Sequence, residues 1–218
     1  MKFLFLITTS LFLISQPDFG AKFKEYGLVD IADVDPTIKV ELKYSTTDNF
    51  TGVNMYGDLT QAYMLPEIAE SLKRVQQNLK ALHPEYSLLV YDAARPFSIQ
   101  RFMFSLVEGT RNSVYVANPS RGGGMHNYGA AVDLTITDQN GRPLDMGSPF
   151  DSFIAASHTG NEAELVRRGL ITAEAARNRA LLTGLMKAEG FGQDPNEWWH
   201  FQKYTLAYLR NIYKLLDF

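Results

Sequence analysis

The chain has 218 residues, of which 45% are hydrophobic and 21% are charged, which indicates a globular protein with one sizeable core. The formal net charge is only -3 and no dense run of Lys or Arg occurs, which argues against binding to nucleic acid or to anionic membranes. The chain contains no cysteine, so disulfides and thiolate nucleophiles are excluded, and any metal ion must be held by His, Asp or Glu. We therefore expect a small-molecule or peptide partner.

The first residues predict an export signal. A single Lys is followed by an apolar run over residues 3–14, which suits a signal-peptide core and is too short for a comfortable membrane span. No clean small-x-small triplet follows, and the sequence is compatible with cleavage after Ser15 or after Ala21. We expect residues 1–21 to be a signal peptide or N-terminal apolar leader, residues 22–218 to form one folded domain, and the protein to be exported to the periplasm. An uncut leader would remain as a membrane anchor.

Periodic apolar patterns predict the first elements of the domain. Apolar and polar residues alternate from Ile38 to Tyr44, which is the period of a half-buried strand. From Pro66 to Leu82 apolar side chains recur at intervals of four and three residues, and proline suits the first helical position, so this segment is an amphipathic helix. The run SLLVYDA, residues 87–93, predicts a short buried strand.

Four further elements follow from apolar runs, prolines and capping residues: a helix over 96–108, a strand over 130–136, a helix over 173–189 and a last strand within 198–204. The dipeptide Asn140-Gly141 is a strong turn signal. Helices and strands mix without regular βαβ alternation. The pattern therefore predicts an α+β single domain with a largely antiparallel sheet flanked by helices.

A carboxylate lies inside one of the predicted strands. In the stretch SRGGGMHNYGAAVDLTI, residues 120–136, Asp133 stands between Val132 and Leu134. A buried charge at this position costs several kcal/mol unless it is paired or bound to a metal ion. Either an arginine or a metal site could supply the positive charge.

Two of the four histidines could form a metal site with this carboxylate. His126 lies in the glycine-rich segment, and His200 lies in EWWHF, where it follows Glu197. Each residue by itself has an ordinary explanation, such as a core imidazole or an Asp–Arg pair. Together they supply two nitrogen donors, one carboxylate ligand and a spare carboxylate, which is the composition of a three-ligand catalytic zinc site with a general base. The other two histidines are expected at a helix end and on a rim loop: His83 and His158.

The spacing of these residues requires two bends. His126 and Asp133 are an odd number of positions apart, so an unbroken strand would point them to opposite faces, and Tyr128-Gly129 must bend the chain. Glu197 and His200 would also diverge on a flat strand. Glu197 is therefore expected in the Asp-Pro-Asn turn that precedes it, and His200 on the strand that follows.

Five ordered blocks resemble the zinc D-alanyl-D-alanine dipeptidases of the VanX type, within the M15 family of D-Ala-D-Ala metallopeptidases: YSTTDNFTG (44–52), YDAARP (91–96), SRGGGMHNYGAAVDLT (120–135), MGSPFD (146–151) and EWWHF (197–201). Five blocks in register over most of the chain are a specific match. The resemblance implies an α+β fold of the D-Ala-D-Ala peptidase/hedgehog-like type. It also implies hydrolysis of D-alanyl-D-alanine or closely related short dipeptides, with one zinc ion per chain.

The resemblance further implies the residues that carry the chemistry. Zinc would be bound by His126, Asp133 and His200. Glu197 would act as the catalytic base, since zinc lowers the pKa of its bound water toward about 7 and a nearby carboxylate can then take the proton. Arg95 would stabilise the charge that forms on the scissile carbonyl.

The resemblance also implies a substrate-binding set. Asp151 would meet the ammonium group of the substrate, which restricts the enzyme to very short peptides, with Tyr44 and Asp92 in supporting places. From the residues alone, Arg95 could equally pair with Asp92 at a strand end. One position departs from the family pattern, because Gly124 stands where relatives often carry a serine that helps to hold the substrate. The pocket for the substrate N-terminus is therefore expected to differ.

Two other functions fit the same residues. A peptidoglycan D,D-carboxypeptidase or endopeptidase would use the same metal set and need an open cleft for a long stem peptide. A non-catalytic cell-wall peptide-binding module would keep the zinc only as a structural clip. Glu197 argues against the second alternative, because a structural zinc closes its fourth position with another ligand. The expected partner is a small dipeptide, with no nucleic acid, and a membrane only if the leader is uncut.

Overall fold

The structure is a computed structural model, and it describes residues 18–218. Most of the predicted leader, residues 1–17, lies outside the described residues. Asp18 caps the first helix, α1 (Phe19–Glu25), by accepting a hydrogen bond from the Ala21 amide at 2.9 Å, and both phenylalanines of this helix are buried in the core. The last four residues of the predicted leader therefore belong to the fold, because they carry a helix cap and a core side chain.

The strands of the described region form two sheets. Two short strands, β1 (Val29–Asp30) and β3 (Tyr63–Met64), pair as an antiparallel ribbon. The main sheet consists, in spatial order, of β2 (Lys39–Val40), β4 (Ser87–Asp92), β5 (Ala131–Thr137), β7 (His200–Gln202) and β6 (Gly192–Gln193). Only the β2–β4 pair is parallel, and the other three pairs are antiparallel. The predicted α+β class with a largely antiparallel sheet is confirmed.

Six further helices accompany the sheets: α2 (Ile31–Val34), α3 (Pro66–Leu82), α4 (Phe97–Val107), α5 (Glu162–Arg167), α6 (Ala173–Ala188) and α7 (Leu206–Ile212). The predictions of α3, α4 and α6 are confirmed, because their signals are local. Pro66 begins α3, and the Thr172 hydroxyl caps α6 by accepting from the Ala175 amide at 2.9 Å. Among the described residues, no helix has the length and apolar character that a membrane crossing requires.

Two predictions about the elements need correction, and short helices were not predicted. The alternating segment from Ile38 to Tyr44 forms only the two-residue strand β2, and the chain then turns into a 3-10 helix at Lys43–Ser45. The pattern alternates because Ile38, Leu42 and Tyr44 are buried in the core. Only Lys39 and Val40 pair with a neighbouring strand. The strand at His200 is not the last element, since α7 follows it. The short helix α5 was missed because six residues carry little periodicity.

The two central strands position the functional side chains. All residues of β4 and β5 are buried, because α3 packs against β4 and the neighbouring strands and loops cover β5. The apolar residues of these strands form the core with the inner face of α3. Asp92 at the end of β4 and Asp133 in β5 are therefore carboxylates in a buried layer, and both must have partners.

Candidate metal centre and active site

Three polar residues form a row across the middle of the main sheet. Asp92, Asp133 and His200 occupy paired positions on β4, β5 and β7. Side chains that are directly opposite in an antiparallel pair lie on the same face, so the sheet register alone brings these three together. The register of β4 shifts between Val90 and Asp92, and this irregularity sets Asp92 opposite Asp133.

A tight turn brings His126 to the same place. The 3-10 turn Met125–Tyr128 precedes β5, and Gly129 ends it with a left-handed backbone, φ 68°. A side chain at position 129 would also collide with Leu28, since its Cβ would lie 2.6 Å from Cδ2. The bend predicted at Tyr128-Gly129 is therefore confirmed, and glycine is required there by both conformation and space.

The protonation of His126 follows from its hydrogen bond. Nδ1 lies 2.6 Å from the carbonyl oxygen of Ala93, which can only accept, so Nδ1 carries the proton. In the neutral ring, Nε2 then presents its lone pair. A backbone carbonyl that orients a histidine in this way is the usual outer partner of a metal ligand.

The ligand atoms of three residues form a compact triangle. Asp133 Oδ1 lies 3.0 Å from His200 Nδ1 and 3.3 Å from His126 Nε2, and the two nitrogens are 3.1 Å apart. In a tetrahedral site with bonds of about 2.0–2.1 Å, ligand atoms lie about 3.3 Å apart. The group of His126, Asp133 and His200 therefore fits one metal ion with nearly no rearrangement.

The charge state of Asp133 suits this role. Burial by itself would raise its pKa, but the adjacent imidazoles of His126 and His200 hold the pKa well below its usual range. The carboxylate is therefore anionic over the whole physiological range. An anionic oxygen and two nitrogen donors make a ligand set that borderline-soft divalent ions favour.

Glu197 lies beside the triangle, in the turn between β6 and β7 as predicted, while His200 begins β7. Its Oε2 is 3.9 Å from His200 Nδ1, and the side chain contributes to the cavity wall. Burial, together with the negative charges of Asp133, Asp194 and Asp151, raises the pKa of Glu197 to about 8. A carboxyl that titrates near neutrality in a cleft is a candidate general acid and base.

Arg95 is held from two sides. Its Nε and Nη2 donate to Asp92 Oδ2 at 3.0 and 2.6 Å, and its Nη1 donates to Gln100 Oε1 at 2.9 Å. The guanidinium lies over the Tyr44 ring, 5.1 Å from its centroid. The Tyr56 hydroxyl donates to the other oxygen of Asp92 at 2.8 Å. Asp92 thus lies behind Arg95, outside the cavity wall that the described residues form, and orients the arginine instead of lining the site.

Gln100 was missed in the sequence. It is 1% exposed, and it connects Arg95 to the carbonyl oxygen of Ala117, to which its Nε2 donates at 2.8 Å. Its neighbours on the inner face of α4 are apolar, among them Met103 and Val107. The sequence did contain a signal for Gln100, namely a single amide on the apolar face of a predicted helix. A buried amide needs hydrogen-bond partners, so such a residue is expected to bind another polar group.

Asp151 and Tyr44 meet in the wall of the same cavity. The Tyr44 hydroxyl donates to Asp151 Oδ1 at 2.9 Å, and the Phe50 amide donates to Oδ2 at 3.3 Å. Asp151 is the only non-glycine residue with positive φ, 58°, in the described part of the chain. Burial, with a contribution from the charge of Asp133, raises its pKa to about 7.

The metal triangle, Glu197, Arg95 and Asp151 line one cavity of about 220 Å³. Gly124 also lies in its wall, and a Cβ there would come within 2.9 Å of the Ala117 side chain, so a serine does not fit without a shift. The two remaining histidines lie outside the wall. His158 contacts the Tyr115 hydroxyl at 3.2 Å, and His83 stacks on Tyr86.

The Peptidase M15 family model, described as D-ala-D-ala dipeptidase, matches residues 24–216 of this chain. The chain belongs to this family. The family assignment predicted from the five sequence blocks is confirmed, and so is the enzyme class: this M15 protein is a metallopeptidase, hence a hydrolase.

Curated relatives of this M15 protein carry one name, D-alanyl-D-alanine dipeptidase. The relative from Escherichia coli (strain K12) is 34% identical over 178 residues, which cover 80% of this chain and 83% of that protein. The relative from Synechocystis sp. is 30% identical, and the match covers 61% of this chain and 66% of that protein. The relative from Enterococcus faecium is 28% identical, and the match covers 81% of this chain and 91% of that protein. Among solved structures, the LdcB LD-carboxypeptidase aligns with 21% identity and a TM-score of 0.36 over 69% of this chain and 63% of its own, a likeness too low to support an inference.

Proposed function

We propose that this M15 protein is a zinc dipeptidase that hydrolyses D-alanyl-D-alanine or closely related short dipeptides in an exported compartment. The observation that carries the proposal is one small cavity whose wall contains a three-ligand metal triangle, Glu197 and Asp151. A three-ligand set that leaves further positions open is typical of catalytic rather than structural zinc. The names of the relatives support the choice of substrate.

The metal ligands are proposed to be His126, Asp133 and His200. Zinc suits this set because it accepts nitrogen and carboxylate ligands in a tetrahedral arrangement. When bound, zinc lowers the pKa of a coordinated water to about 7 and polarises a carbonyl. The Nδ1–H bond to Ala93 keeps His126 in the tautomer that ligation requires.

Glu197 is proposed to be the general base and then the general acid. It stands within 4 Å of His200 Nδ1, so a water molecule near the triangle lies within its reach. In its carboxylate form, Glu197 can take a proton from that water. Returning that proton to the leaving amino group completes the cleavage of the peptide bond.

Arg95 is proposed to stabilise the oxyanion that forms during the attack. Three of the five N–H groups of a guanidinium are used by Asp92 and Gln100, which leaves one on each terminal nitrogen. Because Asp92 and Gln100 hold the guanidinium rigidly, these donors need no reorganisation when the charge develops. Loss of such a donor typically lowers kcat about 100- to 1000-fold.

Asp151 is proposed to receive the free ammonium group of the substrate. Among the described residues, the Asp151 carboxylate accepts hydrogen bonds from two neutral donors and is partly buried. A bound ammonium group would therefore stabilise its charged form. A cavity of about 220 Å³ is smaller than the roughly 300–1,000 Å³ of sites for drug-sized ligands. Both features favour a dipeptide over the long stem peptide that a carboxypeptidase or endopeptidase would bind.

Export is proposed from the sequence of the leader, whose apolar run over residues 3–14 has the length of a signal-peptide core. In an exported compartment the enzyme would recycle or remodel cell-wall peptides. Cell fractionation, followed by N-terminal sequencing of the recovered protein, tests this. Recovery of the uncut chain in the cytoplasmic fraction would contradict export.

The activity is tested with a substrate series in the presence and absence of a chelator. D-Ala-D-Ala should be cleaved, the chelator should abolish cleavage, and added zinc should restore it. L-Ala-L-Ala should not be cleaved, and N-acetyl-D-Ala-D-Ala should be cleaved about 10- to 100-fold more slowly, because it has no ammonium group. Faster cleavage of a stem pentapeptide would favour the carboxypeptidase alternative. Bound zinc with no hydrolysis of any of these would favour the binding module.

A further inference from the structure

Arg179 is a buried guanidinium without an acidic partner. It lies on α6, is 1% exposed, and has no carboxylate oxygen within 4 Å among the described residues. Burial lowers its pKa, although Glu162 and Asp145 at longer range oppose this. A buried charge without a partner is expensive. The guanidinium must therefore bind other polar groups in the core.

The guanidinium instead binds three backbone carbonyl groups. Nε donates to Met146 O at 2.6 Å, Nη2 donates to Ala156 O at 2.6 Å, and Nη1 donates to His158 O at 3.0 Å. Met146 begins a loop that ends at Ala156 and His158. We refer to residues 146–158 as the Asp151 loop. Arg179 therefore joins the two ends of this loop, and the planar fork of arginine is the group that can bond several carbonyls at once.

The Asp151 loop needs such a restraint. Asp151 at its middle has φ 58°, a conformation that a non-glycine residue keeps only when the surroundings enforce it. At the tip, the Tyr44 hydroxyl and the Phe50 amide are the two groups of residues 18–218 that donate to the carboxylate. Near the base, Ser148 bonds to Ser157 at 2.9 Å. Trp198 also bonds to both ends, because its indole nitrogen donates to Ser148 and its amide donates to the Ser157 carbonyl oxygen. Among the described residues, the hydrogen bonds of Arg179 are the ones that tie both ends to α6.

We infer that Arg179 is a positioning residue for substrate binding: by bonding the carbonyls of Met146, Ala156 and His158, it holds the Asp151 loop so that the carboxylate faces the substrate ammonium group. The inference rests on the proposed function for the identity of the bound group. Arg179 acts through the loop and does not line the cavity. Its loss should therefore weaken binding of the free amine, and leave the metal and the chemical step nearly unchanged.

The experiment compares Arg179→Gln and Arg179→Lys with the matched control Arg177→Gln, which removes an exposed arginine from the same helix. For Arg179→Gln, the KM for D-Ala-D-Ala should rise about 10- to 100-fold, while kcat and the zinc content stay within about threefold of the wild type. The preference for D-Ala-D-Ala over N-acetyl-D-Ala-D-Ala should shrink. Arg179→Lys should show a smaller change in the same direction, because one ammonium group cannot bridge both loop ends.

Hydrogen–deuterium exchange provides a readout that does not depend on activity. Exchange in residues 146–158 should be faster in both Arg179 variants than in Arg177→Gln, with exchange in β4 and β5 unchanged. Unchanged KM and unchanged exchange in Arg179→Lys would overturn the inference, even if Arg179→Gln fails to fold. A fall in kcat and zinc content without a change in KM would also overturn it, since that is the result of general destabilisation. If the wild type does not cleave D-Ala-D-Ala but the loop exchanges faster in the variants, the proposed function fails and the loop restraint stands.

Discussion

Asp151→Asn should make the metal-free protein more stable at alkaline pH and also weaken substrate binding. Burial raises the pKa of Asp151 from 3.8 to about 7. A carboxyl with a higher pKa in the folded state stabilises the fold while it is protonated. This contribution is fully present below about pH 4 and is lost as the pH rises to about 7. Asparagine cannot ionise, so the variant does not suffer this loss.

The size of the stability change follows from the pKa shift of Asp151 and from the two hydrogen bonds that its carboxylate accepts. A shift from 3.8 to about 7 corresponds to about 4 kcal/mol at most, at about 1.4 kcal/mol per unit. Asp151 is partly exposed, so solvent screening reduces this to roughly 2 kcal/mol. The asparagine amide can accept from Tyr44 or from Phe50 but not from both, which costs about 1 kcal/mol. The net gain is about 1 kcal/mol at pH 8, or about 2–4 °C in Tm, and is close to zero at pH 5.

Thermal unfolding of chelator-treated protein at pH 5 and pH 8 measures this difference. Asp58→Asn, which removes an exposed carboxylate, is the control and should show the same offset at both pH values. In the zinc-loaded enzyme, Asp151→Asn should raise the KM for D-Ala-D-Ala about 10- to 100-fold, because a charge-assisted bond is lost. A Tm difference from wild type that is equal at the two pH values would refute the burial argument, and an unchanged KM would refute binding of the ammonium group.

Two further substitutions test the metal centre. Glu197→Gln should lower kcat about 100- to 10,000-fold with KM and zinc content retained, since the proton acceptor is removed without loss of a ligand. Initial rates of Glu85→Gln, which changes an exposed glutamate, give the control. Full activity of Glu197→Gln would exclude the mechanism. His200→Ala removes one corner of the triangle, so elemental analysis after dialysis should find almost no zinc, whereas His83→Ala should keep it. Equal zinc content in the two variants would place the ion elsewhere.

Long elements with a clear period could be predicted from the sequence. The spacing of apolar residues in α3, the apolar run of β4 and the Thr172 cap of α6 are all local signals, and the structure contains each element nearly as predicted. The strand predicted from Ile38 to Tyr44 was wrong over most of its length. Alternation reports which side of a segment is buried, but strand pairing also depends on a partner that is distant in sequence.

The residue types of the site could also be predicted, and their arrangement only in part. With no cysteine, a metal site had to use His and carboxylates, and Gly129 had to turn the chain between His126 and Asp133. The pairing of Arg95 with Asp92 at a strand end was an alternative that the residues left open, and the structure contains this pair. The placement of Asp92 opposite Asp133 depends on the irregular register between β4 and β5, which no local pattern contains.

The sequence by itself therefore determined the helices with strong periodicity, the identity of the possible ligands and the family to which the chain belongs. Tertiary structure alone decided that Asp133 and His200 are paired neighbours, that Gln100 holds Arg95 and that Arg179 joins the ends of the Asp151 loop. The physical reason is the range of the interactions. Periodicity and capping act within a few residues, whereas strand register and buried hydrogen bonds join groups that are separated by tens of residues and meet only when the core has closed.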